Sequence, residues 1–201
     1  MTNHTPHPTH PTSKQTIIKS HAVAGYSLGY KCLHWIMAAL IFLMFLAGQG
    51  FSDGGTNDEK MMMLIGHSSI GTIITMLLIV RLTKRFVLRS PMPEHDLPRW
   101  QKKVAKSVQL CLYACMLLVP LSGYVTGWLH ELPVSPFNLI NISQSAVYGY
   151  DQETYDLARL VHETLISMMM AFLVMHIGAA VYHRLVLKDQ VLASMTRGSA
   201  H

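Results

Sequence analysis

An apolar stretch near the end of the chain carries two histidines, and it is the feature that most constrains the fold. Residues 161–181 are almost wholly apolar, yet His162 and His176 interrupt them fourteen positions apart. On an α-helix that spacing is about 21 Å along the axis and about 40° short of four full turns. Both imidazoles therefore leave nearly one face of a helix at two depths. Ionisable groups inside an apolar helix are costly, which favours a functional interpretation.

Three more apolar stretches are long enough to cross a bilayer, which takes about 20 helical residues. They run approximately over residues 30–50, 61–82 and 104–129. Only 13% of the residues are charged and 50% are hydrophobic, whereas soluble domains carry about a quarter of charged residues. We therefore predict an all-α, integral membrane four-helix bundle over residues 26–188, surrounded by lipid and without a nucleic-acid partner.

The two ends of the chain are predicted to lie outside this bundle. Residues 1–25 are rich in Thr, Pro, His and Lys and predict a disordered tail. Residues 189–201 predict a short C-terminal tail. Histidines at every third position of the first tail could bind a metal ion loosely, although a solvated tail is the simpler interpretation; they are His4, His7 and His10.

The three cysteines, Cys32, Cys111 and Cys115, indicate neither a disulfide framework nor covalent haem attachment. None belongs to a Cys-x-x-Cys-His sequence, the signature of covalently attached haem. Cys111 and Cys115 lie four residues apart on one predicted helix. Small apolar filler is the simplest role for both.

Charge predicts how the bundle is oriented. The first and third connections, which we call the acidic end of the bundle, hold acids that outnumber Lys60 and Arg159; they are Asp53, Asp58, Glu59, Glu131, Asp151, Glu153 and Asp156. The middle connection and both termini form the basic end, where Arg81 to Lys106 includes eight basic residues against Glu94 and Asp96. The positive-inside rule then predicts that the basic end, with both termini, faces the cytoplasm.

Depth along the helices pairs the histidines. His34 begins the first span at the basic end, where His176 lies in the inner half of the fourth span. His67 and His162 both lie near the acidic end, on the second and fourth spans. Arithmetic on the helical rise therefore predicts two pairs, each with two imidazoles from facing helices at one level.

Two imidazoles without a carboxylate or a thiolate narrow the chemistry of each pair. Zinc usually takes four ligands and recruits Cys, Asp or Glu, and mononuclear non-haem iron takes a carboxylate. Haem iron has four porphyrin nitrogens and needs only two axial ligands. Two bis-histidine haems are the economical interpretation. Proton-relay or metal-transport histidines, and histidines with a purely structural role, remain alternatives.

The histidine pattern resembles the bacterial cytochrome b-561 family of di-haem, four-span cytochromes. The resemblance covers about residues 26–188 and touches all four spans, through His34-Trp35, His67 with Gly71 and Arg81-Leu82, Pro120 to Gly123, and His162-Glu163-Thr164 with His176 and His183. Val161 departs from it, since relatives often have Trp there. The departure is expected to alter packing around one haem rather than its presence.

The resemblance implies a haem b electron-transfer protein of a bacterial inner membrane. Its two non-covalent haems would have His34 and His176, and His67 and His162, as axial ligands. Some members are superoxide:ubiquinone oxidoreductases, which makes superoxide the expected donor, ubiquinone the expected acceptor and the protein an enzyme. A cytochrome b anchor subunit or quinol-linked carrier for a dehydrogenase or hydrogenase is the alternative within the family. A metal- or proton-handling membrane protein is the alternative from another class.

Two further residues have roles that the resemblance and their depth suggest. Arg81 falls near the basic-end pair, where it could bind a haem propionate or be an ordinary interfacial arginine. His183, one heptad beyond His176, could exchange a proton with bound quinone or be a surface histidine. At the other end, Lys60 and Arg159 could form a local positive entrance for an anion, although the surrounding acids should repel one at long range.

Overall fold

The computed structural model describes residues 26–50, 55–87, 97–189 and 191–196 of the chain. The described part holds helices and connections and no β-strand; the helices are α1 (Leu28–Gly48), α2 (Asn57–Leu82), α3 (Arg99–Leu129), α4 (Ser145–Tyr148), α5 (Gln152–Tyr182) and α6 (Ala193–Thr196). The helices α1, α2, α3 and α5 are long and apolar enough to cross a membrane. The predicted all-α membrane four-helix bundle is confirmed. The cytoplasmic position of the termini stays a prediction.

The long helices extend beyond the apolar stretches because capping groups decide where they begin. Thr56 and Glu59 form a capping box, in which Glu59 N–H donates to Thr56 Oγ1 (3.3 Å) and Thr56 N–H donates to the Glu59 carboxylate (2.8 Å). The Asp151 carboxylate accepts a hydrogen bond from Thr154 N–H (3.2 Å) at the start of α5. Such caps satisfy amide groups that have no partner inside the helix. The charged first turns therefore belong to the same helices as the spans.

At the basic end, two long helices change from α-helical to π-helical hydrogen bonding. α2 continues into a π-helical turn over Thr83–Val87, and α5 continues into another over His183–Leu187. Single π turns are rare and are frequent at functional sites. The first turn begins two residues after Arg81, and the second begins at His183; the sequence marks both residues as functional candidates.

Packing within the bundle is uneven. α3 packs along α5, and α1 packs along α2, which also contacts α3. Among the described residues α5 has no comparable backbone contact with α1 or α2. The buried apolar cluster is small and consists of Leu33, Met37 and Leu78. The bundle therefore keeps space between α5 and the α1–α2 pair, and the predicted histidine pairs come from those facing helices.

Two glycines of α3 allow other parts of the chain to approach the helix closely. A methyl group on Gly123 would lie 3.0 Å from Cε1 of His162, and one on Gly127 would lie 3.2 Å from Ile142. Gly123 thus admits a histidine of α5, and Gly127 admits the connection that follows α3. Pro120 lies inside α3, which remains one helix through it.

The C-terminal residues return to the start of α1. Tyr26 N–H donates to the Ser194 carbonyl, and Trp35 Nε1–H donates to the Met195 carbonyl, each at 3.3 Å. Ser194 is only 2% exposed, so part of the predicted tail 189–201 packs on the bundle. The predicted tail 1–25, with its three histidines, lies outside the described residues, as do Asp53, Arg89, Glu94, Asp96 and Arg197. The cysteines are free, and Cys115 is buried as expected of an apolar filler.

Candidate functional site

At the acidic end, the structure brings His67 of α2 and His162 of α5 together. Their ring centroids lie 6.3 Å apart, and the ring planes make an angle of 77°. The two histidines are 95 positions apart in the chain, so only the packing of the bundle brings them together. This is the pair that the helical rise predicts for this end.

At the basic end, His34 of α1 and His176 of α5 form a second pair with nearly the same geometry. Their ring centroids lie 6.4 Å apart at an interplanar angle of 74°. The Trp35 ring lies beside the His34 ring, with centroids 5.4 Å apart. α5 therefore contributes one histidine to each pair, about 21 Å apart along its axis.

Both pairs have the separation needed to hold one metal ion between them. An imidazole nitrogen binds a metal ion at about 2 Å and lies about 1 Å from its ring centre, so two rings on opposite sides of an ion have centroids roughly 6 Å apart. The described residues contain no group of three or more His, Cys, Asp or Glu that could hold a metal. Each pair therefore fits an ion whose remaining ligands come from a non-protein group. Haem, with four porphyrin nitrogens, is such a group.

The hydrogen bonds of His162 favour one orientation and tautomer of its ring. Ser122 Oγ lies 2.9 Å from the Val119 carbonyl, to which its hydroxyl donates, and 2.9 Å from His162 Nδ1. Since a hydroxyl has one proton, Ser122 accepts the proton of His162 Nδ1–H. The other nitrogen, Nε2, then keeps its lone pair for a ligand. Partners of this kind orient metal-binding histidines, and sequence reasoning did not identify Ser122.

A cavity of about 400 Å³ lies beside the acidic-end pair, within the range of sites for small molecules and cofactors. His67, His162, Gly71 and Gly123 contribute to its wall. A smaller apolar cavity of about 70 Å³ continues from the same histidines towards Met116 and Met169. Gly71, which follows His67 by about one helical turn, borders both cavities.

Charged and aromatic residues form the mouth of the larger cavity: Lys60, His130, Tyr155, Arg159 and Glu163. The exposed Arg159–Glu163 pair is 2.8 Å apart, and an exposed pair of this kind contributes little to stability. His130 Nδ1 accepts a hydrogen bond from Leu132 N–H (2.9 Å), and its ring meets the Tyr155 ring edge-on. Burial lowers the pKa of His130. The mouth of the cavity thus includes a neutral histidine. The sequence analysis did not identify His130 as a candidate.

At the basic end, Arg81 lies between two tyrosines. Arg81 Nε–H donates to the Tyr113 hydroxyl (3.1 Å), and its guanidinium carbon lies 5.2 Å from the Tyr30 ring centre. Tyr30 lies one helical turn before His34 on α1. This position favours a role at the basic-end pair over that of an ordinary surface arginine. Tyrosines are common at membrane interfaces, so the sequence alone did not mark Tyr30 and Tyr113 as functional residues.

His183 has a carboxylate partner that the sequence analysis did not pair with it. His183 Nδ1 lies 2.5 Å from Asp189 Oδ2, and both side chains are largely buried. The π-helical turn shortens the path between them, since Asp189 N–H also donates to the His183 carbonyl (3.2 Å). The other carboxylate oxygen of Asp189 accepts from Val191 N–H (3.0 Å). His183 is therefore held in one orientation at the end of α5.

Four membrane helices with two facing imidazole pairs define the class of a membrane cytochrome. The family model described as prokaryotic cytochrome b561 matches residues 25–198. The chain belongs to the prokaryotic cytochrome b561 family, whose members are membrane haem proteins of transmembrane electron transfer. The family resemblance predicted from the histidine pattern is confirmed.

Curated relatives match nearly the whole chain at low identity. Cytochrome b561 homolog 2 of Escherichia coli strain K12 is 25% identical over 175 residues, which cover 85% of this chain and 90% of the relative. Cytochrome b561 homolog 1 of the same strain is 25% identical, with 81% and 92% covered. Cytochrome b562 of Cereibacter sphaeroides is 26% identical, with 86% and 96% covered.

Proposed function

We propose that the protein binds two b-type haems non-covalently and carries electrons across a bacterial inner membrane between superoxide and ubiquinone. His67 and His162 would hold the acidic-end haem, and His34 and His176 the basic-end haem. The observation that carries the proposal is the repetition of one geometry, with imidazole centroids 6.3 and 6.4 Å apart at two depths of the bundle. A haem supplies reversible one-electron chemistry when it is bound.

The acidic-end residues suit access by a small anionic donor. Lys60 and Arg159 border the cavity that reaches His67 and His162. Their positive charges would attract superoxide at short range, against the acids that surround them. Oxidation of superoxide to dioxygen releases one electron and no proton. The acidic end therefore needs a path by which superoxide reaches the haem, and it needs no proton donor.

The basic-end residues suit a quinone, which needs protons as well as electrons. Reduction of ubiquinone to quinol takes two electrons, from two superoxide ions, and two protons. His183 would deliver protons one at a time from its Nε2, while the Asp189 carboxylate at Nδ1 orients the ring and stabilises its charged form. Arg81, held by Tyr113, would use its remaining N–H groups to bind a haem propionate.

A redox difference spectrum of the purified protein is the first test. We expect a b-type spectrum with two haems per chain, reduced by a superoxide source and reoxidised by ubiquinone. Superoxide dismutase added to the source is the control and should abolish the reduction. If superoxide leaves the haems oxidised while quinol reduces them, the donor assignment is wrong and a quinol-linked carrier remains. Absence of a reducible haem would contradict the whole proposal.

The anchor-subunit alternative makes a different prediction. A cytochrome b that serves a dehydrogenase or hydrogenase should co-purify with that enzyme from the native membrane in mild detergent. It should also accept electrons from the enzyme's substrate without added superoxide. The acids around the cavity mouth outnumber the cations and should repel an anionic donor at long range. This repulsion is the reason to test the alternative.

A further inference from the structure

The segment that joins α3 to α5 exposes adjacent apolar side chains at its tip. Residues 132–150 include no charged side chain. Leu139 is 79% exposed and Ile140 is 73% exposed, and Phe137 beside them is 44% exposed. Adjacent apolar side chains this exposed need a covering surface other than water.

The tip of this segment is attached deep along α2. Phe137 N–H donates to Ser69 Oγ at 2.6 Å, and the turn Pro136–Asn138 packs against α2. Ser69 lies nine residues past Lys60, the last charged residue at that end of α2, which is about 14 Å along the helix. It also lies two residues past His67. The tip therefore lies past the charged first turns of α2, near the level of the acidic-end histidine pair.

The backbone of the segment is largely self-satisfied, as a lipid environment requires. The Asn141 side-chain oxygen accepts from Val134 N–H (3.1 Å) and from Ser143 N–H (3.0 Å). Ile142 N–H donates to the Val134 carbonyl (2.8 Å), and Leu139 N–H donates to the Pro136 carbonyl (3.1 Å). The Asn141 side chain thus satisfies backbone groups of the segment itself.

The backbone at the tip of the segment has a strained conformation that its contacts hold in place. Phe137 and Asn138 both have positive φ, 54° and 56°, and a bulky residue in that region is strained. Such strain persists only where surrounding contacts impose it, and here the Ser69 hydrogen bond does so. At the base, Gly127 of α3 contacts Val134 and Ile142. The segment is therefore anchored on two helices, while Phe137, Leu139 and Ile140 at its tip stay exposed.

We propose that this segment is an interfacial membrane anchor, in which Phe137, Leu139 and Ile140 insert at the headgroup–acyl boundary of the leaflet at the acidic end. The occupant of the apolar surface is lipid, because the tip lies at a depth where α2 itself is surrounded by lipid. Amphipathic elements of this kind bury their apolar side chains about 5–10 Å into that boundary. The segment then closes one side of the cavity beside His67 from the bilayer, since Val134 and Ile142 border that cavity.

Carbene footprinting of the full-length protein in proteoliposomes tests the anchor without altering the sequence. One diazirine reagent partitions into the bilayer, the other remains in water, and mass spectrometry locates the labels. Leu139 and Ile140 should be labelled several-fold more by the bilayer reagent, as should Leu110, which is exposed inside the α3 span. Glu153, exposed at the start of α5, should show the opposite preference.

Two results would overturn the anchor. Preferential labelling of Leu139 and Ile140 by the aqueous reagent would place them in water. Protection from both reagents would show that a second copy or another protein covers them. The variant Leu139→Asn with Ile140→Asn supplies a second measure, since its tip should lose the bilayer label while the haem spectrum remains.

Discussion

The two histidine pairs have almost the same internal geometry, but their surroundings differ. The acidic-end pair borders a cavity of about 400 Å³ whose mouth carries charges of both signs, and a neutral hydroxyl orients His162. At the basic end, the Arg81 cation packs on the ring of Tyr30, one helical turn before His34. Charge and hydrogen bonding around a metal centre set its redox properties. Under the proposed function, the same ligands would serve two steps, one that receives an electron from a small donor and one that holds it near a quinone.

The largest expected effect separates the two pairs. His67→Ala should remove the acidic-end haem and leave the basic-end haem, and His34→Ala should do the reverse. Each variant should contain about half of the wild-type haem by pyridine haemochrome assay, because each pair lies at its own depth. His130→Ala is the control, since His130 is outside both pairs, and it should keep the full content. Loss of both haems from either variant would contradict two independent sites.

A smaller effect is expected from a methyl group placed against one ligand. In Gly123→Ala the new Cβ would lie 3.0 Å from His162 Cε1, so the ring must move from the orientation that Ser122 gives it. We expect weaker retention of the acidic-end haem, measured as its loss during purification. Gly178→Ala is the matched control on α5, because nothing lies within 4 Å of its new Cβ. Equal losses in both variants would show that the close contact is unimportant.

Removal of a cation should affect the other pair. A positive charge favours the reduced form of a nearby haem, so Arg81→Gln should lower the basic-end potential, by on the order of 50 mV if the charge acts at an intermediate dielectric. The acidic-end potential should stay the same in a spectroelectrochemical titration. Lys102→Gln, an exposed charge at the basic end, is the control and should change little because water screens it. A shift in potential confined to the acidic-end haem would contradict the placement of Arg81 at the basic-end pair.

The smallest effect concerns the mouth of the acidic-end cavity. Burial lowers the pKa of His130, so the folded protein favours the neutral ring that accepts Leu132 N–H. The stabilisation is present above the ordinary pKa of about 6.5 and is lost as the pH falls through the lowered folded value. Hydrogen exchange at Leu132 should therefore accelerate in mild acid, after correction for the intrinsic rate. In His130→Ala this additional acceleration should disappear.

The family and the four helices could be predicted from the chain because both depend on local pattern. Apolar length identifies the spans, and the fourteen-residue interval between His162 and His176 sets two depths on one helix. Helix boundaries were less predictable, since Thr56 and Asp151 extend α2 and α5 beyond the apolar stretches. Val161, the expected departure from the family pattern, is half-exposed on α5, and the contacts explain no structural consequence of it.

What the sequence by itself determined is the depth of each histidine, because the rise of a helix depends only on residue count. Which face meets which neighbour depends on how the helices rotate and slide against each other, and only the tertiary structure decided that. Packing of α3 against α5 places Ser122 and Gly123 under the His162 ring. Packing of α2 against α1 and α3 places Arg81 between Tyr30 and Tyr113. The same dependence brings Phe137 onto Ser69, a contact that no periodicity in the chain encodes.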